Sequence, residues 1–558
     1  EETRRLVELK LALSMGRETA VPEALLAQVS TQAAGNPFYV EELLNYFQDV
    51  GVDLQDAAAL EEVDLPDSLY ALVLSRIDQL DQSEQLTIKI ASVIGRLFRA
   101  AMLWGVYPEL PLDKVQHNLD VLSNLELTPL DTPLPELAYL FKHIVTQQVA
   151  YESLLHSTRA MLHEQIGLYT ERTYPDTLDE YTNLLAFHFE HSENEVKSRE
   201  YLLKAGEAAQ KDYANAAAIN YFEKSIPLLE GRSLIDTRLK LGQALELTGQ
   251  WDPAGQQYET ALAEAETLAD QEAKAWCQTY LGELWRLRNQ YDTAEQWLEL
   301  ARKSFELLDN KEGVGQVLHY AGKLADQRGD QALARELWNE SLVLRRALED
   351  RLNEASVLNN LGVMERGLGN QDAAHQYYQK CLSISEQIGN RWRMAVSLNN
   401  LGNLAIDSSS YDEARNLLEQ ALLIWREIGE RWATTNTLHN LANVAREEGN
   451  FQEAADLYAE SLEGWLELED RWGTAYWLED TGLLQLQLGK PQAAQQLVGK
   501  AAALREEIGA PRPPAYDETL AKRLQPAWEA LGQEAAAAAL TQGQFLELEE
   551  VIDLALEV

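Results

Sequence analysis

Cysteine is almost missing from this sequence: two residues in 558, Cys277 and Cys381, with no CxxC pair. A disulfide framework and a cysteine zinc site are therefore not expected. Long apolar runs are missing too, since none approaches the about 18 residues that a membrane helix needs. The opening stretch, EETRRLVELK, lacks the apolar core of a signal peptide. These features point to a cytoplasmic protein with no membrane partner. Basic residues are scarce, 47 against 90 acidic ones, for a formal charge of −43. A field of that sign repels phosphate backbones, so nucleic acid is not an expected partner either. It would suit a basic partner, although long polar helices are also acidic simply to stay soluble.

What the sequence does have is a forty-residue period. A small residue recurs at Gly242, Gly282, Gly322, Gly362, Gly402, Ala442 and Gly482, and alanine at Ala254, Ala294, Ala334, Ala374, Ala414, Ala454 and Ala494. Turn-like segments such as GLGNQDAA and EEGNFQEA separate the two series. In LNNLGVMERGLG and EARNLLEQALLIWREIG apolar residues recur at helical intervals, so each period reads as two amphipathic helices joined by a turn. Small residues at the crossing let the two helices approach closely. One such hairpin cannot bury its apolar faces alone, whereas a stack can, and stacking produces a superhelix with a concave inner surface. The fold expected is all-α.

This pattern resembles the tetratricopeptide repeat in a forty-residue form. Leu361-Gly362 and Leu401-Gly402 match the family's Leu-Gly of the first helix, and Ala374 and Ala414 its second-helix alanine. The resemblance implies a right-handed solenoid of seven repeats over residues 232–511. A less regular unit, with Gly206, Tyr213 and Ala217, precedes it at 181–231. After PRPP, residues 512–558, with the Ala535–Ala539 run, read as capping helices.

Residues 1–180 do not share the period. VPEALLAQVSTQAAGNPFYVEELLNYF reads as two short helices around the turn Gly35-Asn36-Pro37, and LPDSLYALVLSRIDQLDQSEQLTIKIASVIG as two more. The segment from NLDVLSNLEL to AYESLL reads as a helix, two short strands and a helix, an order that suits a winged helix. GNPFYVEEL, LPDSLYALVLSRID and YLFKHIVTQQVAYESLL resemble the end of the nucleotide-binding module in STAND-class signalling ATPases. They are most similar to the branch in which a class III nucleotide cyclase precedes the ATPase and tetratricopeptide repeats follow. The resemblance makes residues 1–60 a partial helical lid and 61–180 a winged-helix-like domain. It implies that Pro37 packs against adenine and that His143 reaches the β-phosphate of bound ADP. Here the family's Met-His-Asp stands as Lys142-His143-Ile144.

No GxxxxGK[ST] occurs: the pairs Gly322-Lys323, Gly489-Lys490 and Gly499-Lys500 lack the upstream Gly and the following Ser or Thr. Without that phosphate cradle this segment is not expected to be an enzyme or to need a cofactor of its own. The chain opens inside what resembles a lid helix, so ATP or ADP with magnesium, and the catalytic parts, are expected upstream in a longer protein.

Numbering the Leu-Gly pair as the seventh and eighth positions of a repeat places the second, fifth, ninth and twelfth on one helix face, the concave one. That face carries Gln316, His319, Lys323 and Asp326, then Ser356, Asn359, Val363 and Arg366. Val396, Asn399, Asn403 and Asp407 follow, then Asn436, His439, Asn443 and Arg446. An asparagine both donates and accepts, so a ladder of them can pair with an extended peptide backbone. The candidates for holding a partner peptide or protein are His319, Lys323, Asn359, Arg366, Asn399, Asn403, Asn436, His439, Asn443 and Arg446. The bland alternative is that these amides bond neighbouring helices, as Asn360, Asn400 and Asn440 are expected to do. A second stripe, Arg351, Arg391, Arg431 and Arg471 with Trp392, Trp432 and Trp472, is either a recognition surface or a packing seam. His188 and His191 flank Glu190 without a third ligand at metal spacing. The resemblance implies the sensor arm of a STAND ATPase, with a passive assembly scaffold as the rival reading.

Overall fold

The computed structural model describes residues 4–7, 23–33, 36–49, 68–133, 136–512 and 514–557. It divides into two compact units, 1–250 and 251–558. The forty-residue period is a period of helices. First helices begin at Gly231, Gln271, Lys311, Arg351, Arg391, Arg431 and Arg471, and second helices at Trp251, Tyr291, Gln331, Gln371, Tyr411, Phe451 and Pro491. Stacked helix pairs of the tetratricopeptide type result, and among the described residues the fold is all-helical apart from one small sheet in the amino-terminal unit.

Local chemistry starts and stops each helix. The side chains of Asp270, Asn310, Asp350, Asn390, Glu430 and Asp470 each accept the backbone N–H three residues on, which caps the first helices. The turns between paired helices place Gly329, Gly369, Gly449 and Gly489 at positive φ, where glycine carries no Cβ clash. Asn289 and Ser409 occupy the same turn position in the other repeats of this unit.

Packing explains the two small-residue series. A Cβ on Gly322 would lie 2.5 Å from Nε1 of Trp338, and one on Gly362 would lie 2.5 Å from the Tyr378 ring. Gly282 meets Leu298 and Gly402 meets Leu418 in the same way, always sixteen residues on. The alanines of the second helix, from Ala254 to Ala494, are fully buried. Every first helix from Gln271 onward packs on its own second helix, and each second helix but the last packs on the next first helix. The carboxy-terminal helices Gln533–Gln544 and Leu548–Leu556 close the stack. Gly499 and Gly543 bring two helices together so tightly that a Cβ on either would fall 2.0 Å from a carbonyl oxygen, of Leu540 and Gln496 respectively. Gln485 Nε2 donates to the Ala555 carbonyl at 2.9 Å.

In the amino-terminal unit the helices Leu69–Asp78 and Gln82–Ile94 precede β1 (Leu97–Arg99). The helices Ala100–Val106 and Leu112–Asn124 follow, then β2 (Leu130–Thr132), β3 (Ala138–Leu140) and the helix Ile144–Glu152. The antiparallel sheet has the order β1-β3-β2. Two strands were expected and three are present: β1 is three residues long with only Phe98 turned inward, too short to show a period. Phe98, Phe141, Leu119 and Ile88 form its core. A buried ion pair, Arg76 Nη1 to Glu42 Oε2 at 2.7 Å, ties the helix Pro37–Asp49 to this core. The irregular unit that precedes the repeats uses the same device as they do: a Cβ on Gly206 would lie 2.5 Å from Phe222, again sixteen residues on. Among the described residues no helix is long and apolar enough to cross a membrane.

Replacing Gly322 by Ala should lower stability by about 1–3 kcal/mol, the range for overpacking a filled core. The displaced Trp338 would also lose its 3.0 Å hydrogen bond to the His319 carbonyl. A thermal melt followed by circular dichroism measures it; an unchanged midpoint would show that the close approach at Gly322 is dispensable.

Candidate functional site

The face of the first helices that carries the candidate residues is a chain of side-chain bonds running from repeat to repeat. Asn360 Nδ2 lies 2.9 Å from Nε2 of His319, and Asn400 Nδ2 donates to Asn359 Oδ1 at 2.9 Å. Thr437 donates to Asn399 Oδ1 at 3.2 Å, and Lys323 Nζ to Glu283 at 3.0 Å. Arg366 reaches Asp407 at 2.5 Å. One period separates the partners in these bonds, give or take two residues, because equivalent helices lie side by side in a stack. Of the amides expected to be structural, Asn360 and Asn400 make such bonds, while Asn440 Nδ2 donates within its own helix, to Asn436 Oδ1 at 3.3 Å.

Six of the ten candidate residues fall into two groups. Asn359, Asn399 and Asn403 are half-buried. Asn359 and Asn399 each accept one bond through Oδ1 and keep their Nδ2 donors unused. Two adjacent first helices, Arg351–Gly367 and Arg391–Asp407, thus present three amide groups on one face.

His439, Asn443 and Arg446 belong to a different environment. His439 Nε2 lies 2.7 Å from Asp480 Oδ2, and Asn443 Nδ2 donates to the same oxygen at 3.0 Å. Tyr458 donates to Asn443 Oδ1 at 2.6 Å. Arg446 Nη1 donates to the Asp480 carbonyl at 2.9 Å and Nη2 to Glu447 at 2.9 Å. Burial alone would raise the Asp480 carboxyl, but the His439 hydrogen bond and the Arg446 charge outweigh it and hold it well below the usual range. Arg446 and His439 are buried, so the hydrogen-bonding capacity of this group turns inward. His319 is buried as well, and desolvation keeps its ring neutral. The sequence signal for the inward group was Asp480, which stands where the preceding repeats have Asn360, Asn400 and Asn440.

The arginine–tryptophan stripe is paired side by side. Arg471 Nη2 contacts Glu507 at 2.5 Å, and Arg391 and Arg431 pair with Glu427 and Glu467. Trp392 packs edge-on to Trp425 and Trp432 to Trp465. Trp432 and Trp472 nevertheless remain close to half exposed.

In the amino-terminal unit Gly35 lies outside the described residues. Pro37 is exposed at the first position of its helix, and its neighbour Phe38 lies on the His143 ring, centroids 4.0 Å apart. Lys142 Nζ contacts Glu41 at 2.5 Å and His143 Nε2 lies 3.6 Å from the same carboxylate. Phe38 and Glu41, on the helix that Pro37 opens, are thus the residues that meet His143. Elsewhere in this unit His163 Nδ1 meets His188 Nδ1 at 2.8 Å, a contact the sequence did not announce. Burial first, then the neighbouring rings, lowers these imidazoles to about 4 and about 3, so both are neutral at pH 7. Among the described residues no group of three or more His, Cys, Asp or Glu could hold a metal ion.

Comparison with known proteins agrees with the stacked pairs. The tetratricopeptide repeat family matches residues 313–387, 393–467 and 433–507. No curated protein matches the chain by sequence. Similar solved structures include a signal transduction ATPase with numerous domains (STAND) with a tetratricopeptide repeat sensor, from Pyrococcus horikoshii. It is 14% identical with a TM-score of 0.46, covering 96% of this chain and 74% of that one. A Rap protein complexed with competence and sporulation factor is 13% identical at TM-score 0.45, covering 64% and 99%. A plasmid's Rap conjugation gene regulator in complex with the Phr* peptide is 14% identical at TM-score 0.42, covering 69% and 96%. Tetratricopeptide repeats are thus present in the stretch from residue 313 to residue 507.

Replacing Asp480 by Ala leaves Arg446 buried beside a missing partner, which should cost about 3–5 kcal/mol at pH 7. The carboxyl is depressed in the folded state, so its contribution is present above the unfolded value of about 4 and fades as pH falls toward the folded one. The difference in melting temperature between D480A and the parent is therefore expected to shrink between pH 7 and pH 2.5. A constant gap would show that Asp480 acts by shape and not by charge.

Proposed function

We propose that the repeats hold an extended peptide or a protein segment on the face carrying Asn359, Asn399 and Asn403, and that the chain is the regulatory arm of a STAND-type signalling ATPase. The observation that carries the binding reading is the run of half-buried amides on that face, two of them with unused donors. Donors spaced along equivalent helices suit the carbonyls of an extended backbone, which every peptide offers whatever its side chains. The charge of −43 favours a basic or neutral partner over an acidic one.

The regulatory reading rests on the resemblance of GNPFYVEEL, LPDSLYALVLSRID and YLFKHIVTQQVAYESLL to the STAND class. It is supported by the meeting of Phe38 with His143 and of Glu41 with Lys142, which join the lid-like helix to the start of the helix after β3. A partner bound to the repeats would act on nucleotide held by that module together with its phosphate-binding parts. This segment, lacking a GxxxxGK[ST], would not itself hydrolyse ATP.

The binding test begins with peptides selected on the immobilised chain from a random display library, then measures affinity by calorimetry. Replacing Asn359, Asn399 and Asn403 together by Ala removes three hydrogen bonds of about 0.5–1.5 kcal/mol each. Affinity should fall by about one to three powers of ten while the melting temperature moves little. Undiminished affinity in a folded triple variant would remove this face as the binding site and leave the Trp432–Trp472 stripe to be tested. Purified chain incubated with ATP and magnesium is expected to release no phosphate above background. Turnover that disappears on mutating a residue within the 558 would overturn the regulatory assignment.

A further inference from the structure

One junction between repeats is underfilled. Where a second helix meets the next first helix, the residue sixteen after the fixed glycine packs in one cluster with the residue before the following small residue, as Trp338 does with Leu361, Tyr378 with Leu401 and Leu418 with Leu441. The successive pairs are Tyr258 with Leu281, Leu298 with Ala321, Trp338 with Leu361, Tyr378 with Leu401, Leu418 with Leu441, and Tyr458 with Thr481. Only the second pair combines an aliphatic residue with alanine. At the other junctions the leucines of this series are buried, from Leu281 to Leu441. At Ala321 the structure instead holds an open cleft of about 310 Å³ between the helices Tyr291–Leu307, Lys311–Gln327 and Gln331–Ala347.

The chemistry of the cleft is one-sided. Its floor is aliphatic: Leu298, Val317, Ala321, Leu324 and Leu337. Charged side chains ring the mouth, but they are occupied with one another. Arg328 is bonded to Asp292 at 2.7 Å and Glu295 at 2.9 Å, and Arg302 to Glu306 at 2.8 Å. Glu299 is paired with Lys303 at 2.6 Å, and Asp330 accepts the Leu333 N–H at 3.0 Å. No charge at the rim lacks a counter-charge or a hydrogen bond, so an ionic ligand would gain little there. Residues 317, 321, 324 and 328 lie on the side of their helix opposite 316, 319, 323 and 326, so the cleft opens away from the amide-bearing face.

We infer that this cleft is a second binding site, for a small uncharged molecule carrying one aromatic ring or branched aliphatic group. The size argues for that occupant: about 310 Å³ is at the lower end of small-molecule pockets. The missing volume has the form of side chains, since Leu stands at position 321 in most repeats and Tyr or Trp often stands at position 298. An apolar ring would take the place that those residues fill elsewhere. The site is independent of peptide binding on the opposite face.

The test uses 5-fluoroindole as an uncharged aromatic probe, read by fluorine NMR so that the protein's 13 tryptophans do not interfere. The whole chain should bind it saturably at one site, and Ala321→Leu, which supplies the residue of the other junctions, should weaken binding at least tenfold. The melting temperature of A321L should be equal to or higher than the parent's, because the variant fills a void. Should A321L fail to fold, Ala321→Val narrows the same cleft and is expected to weaken binding at least threefold. 5-Fluoroindole-3-acetate, the charged analogue, should bind no more tightly than fluoroindole. Absence of saturable binding by the parent, or binding undiminished in a folded variant, would overturn the proposal. Tighter binding of the charged analogue would overturn the assignment of an uncharged ligand.

Discussion

The repeats depend on how closely two helices can approach at one crossing. With glycine in the first helix and a large residue sixteen positions later, the helices touch almost backbone to side chain, as at Gly322 and Trp338. The alanine of the second helix completes the contact from the other side and is fully buried in every repeat. That fit sets the angle of a hairpin, and because it recurs every forty residues, each hairpin meets the next in the same way. The alignment of equivalent residues on neighbouring first helices, and hence any ligand-binding row, follows from it.

Alignment has a chemical consequence. Once equivalent positions lie side by side, polar residues there either bond one another or face solvent and a partner. The chain does both. Asn360, Asn400 and Asn440 bond within the face, Asn359 and Asn399 are half used, and the group around Asp480 closes on itself. The substitution of an acid for an amide at 480 turns an open ladder into an internal network, because a buried carboxylate must gather donors around it. His439, Asn443 and Arg446 supply them.

The same regularity makes departures informative. Ala321 beside Leu298 leaves a void that a regular repeat would fill. Gly206 against Phe222 shows that the irregular unit before the repeats follows the same rule with a shorter spacing to its neighbour. In the amino-terminal unit, where no period operates, buried ion pairs such as Arg76–Glu42 and ring contacts such as Phe38–His143 hold the parts instead.

The sequence by itself determined the paired helices of each forty-residue period and the turns between them, because those depend on local periodicity and on the small residues needed at a crossing. It also determined which helix face carries the amides, since a helical residue's direction follows from its number. It did not determine β1, too short for any pattern, or the meeting of His163 with His188, which are joined by packing and not by spacing. Nor could it say which asparagines keep a donor unused, because a hydrogen bond between residues about forty apart depends on the pitch of the stack. Only the tertiary structure decided that Asn359, Asn399 and Asn403 remain available while Asn443 and Arg446 turn inward. The physical reason is that burial and partner geometry are properties of neighbouring helices together, and no single repeat contains them.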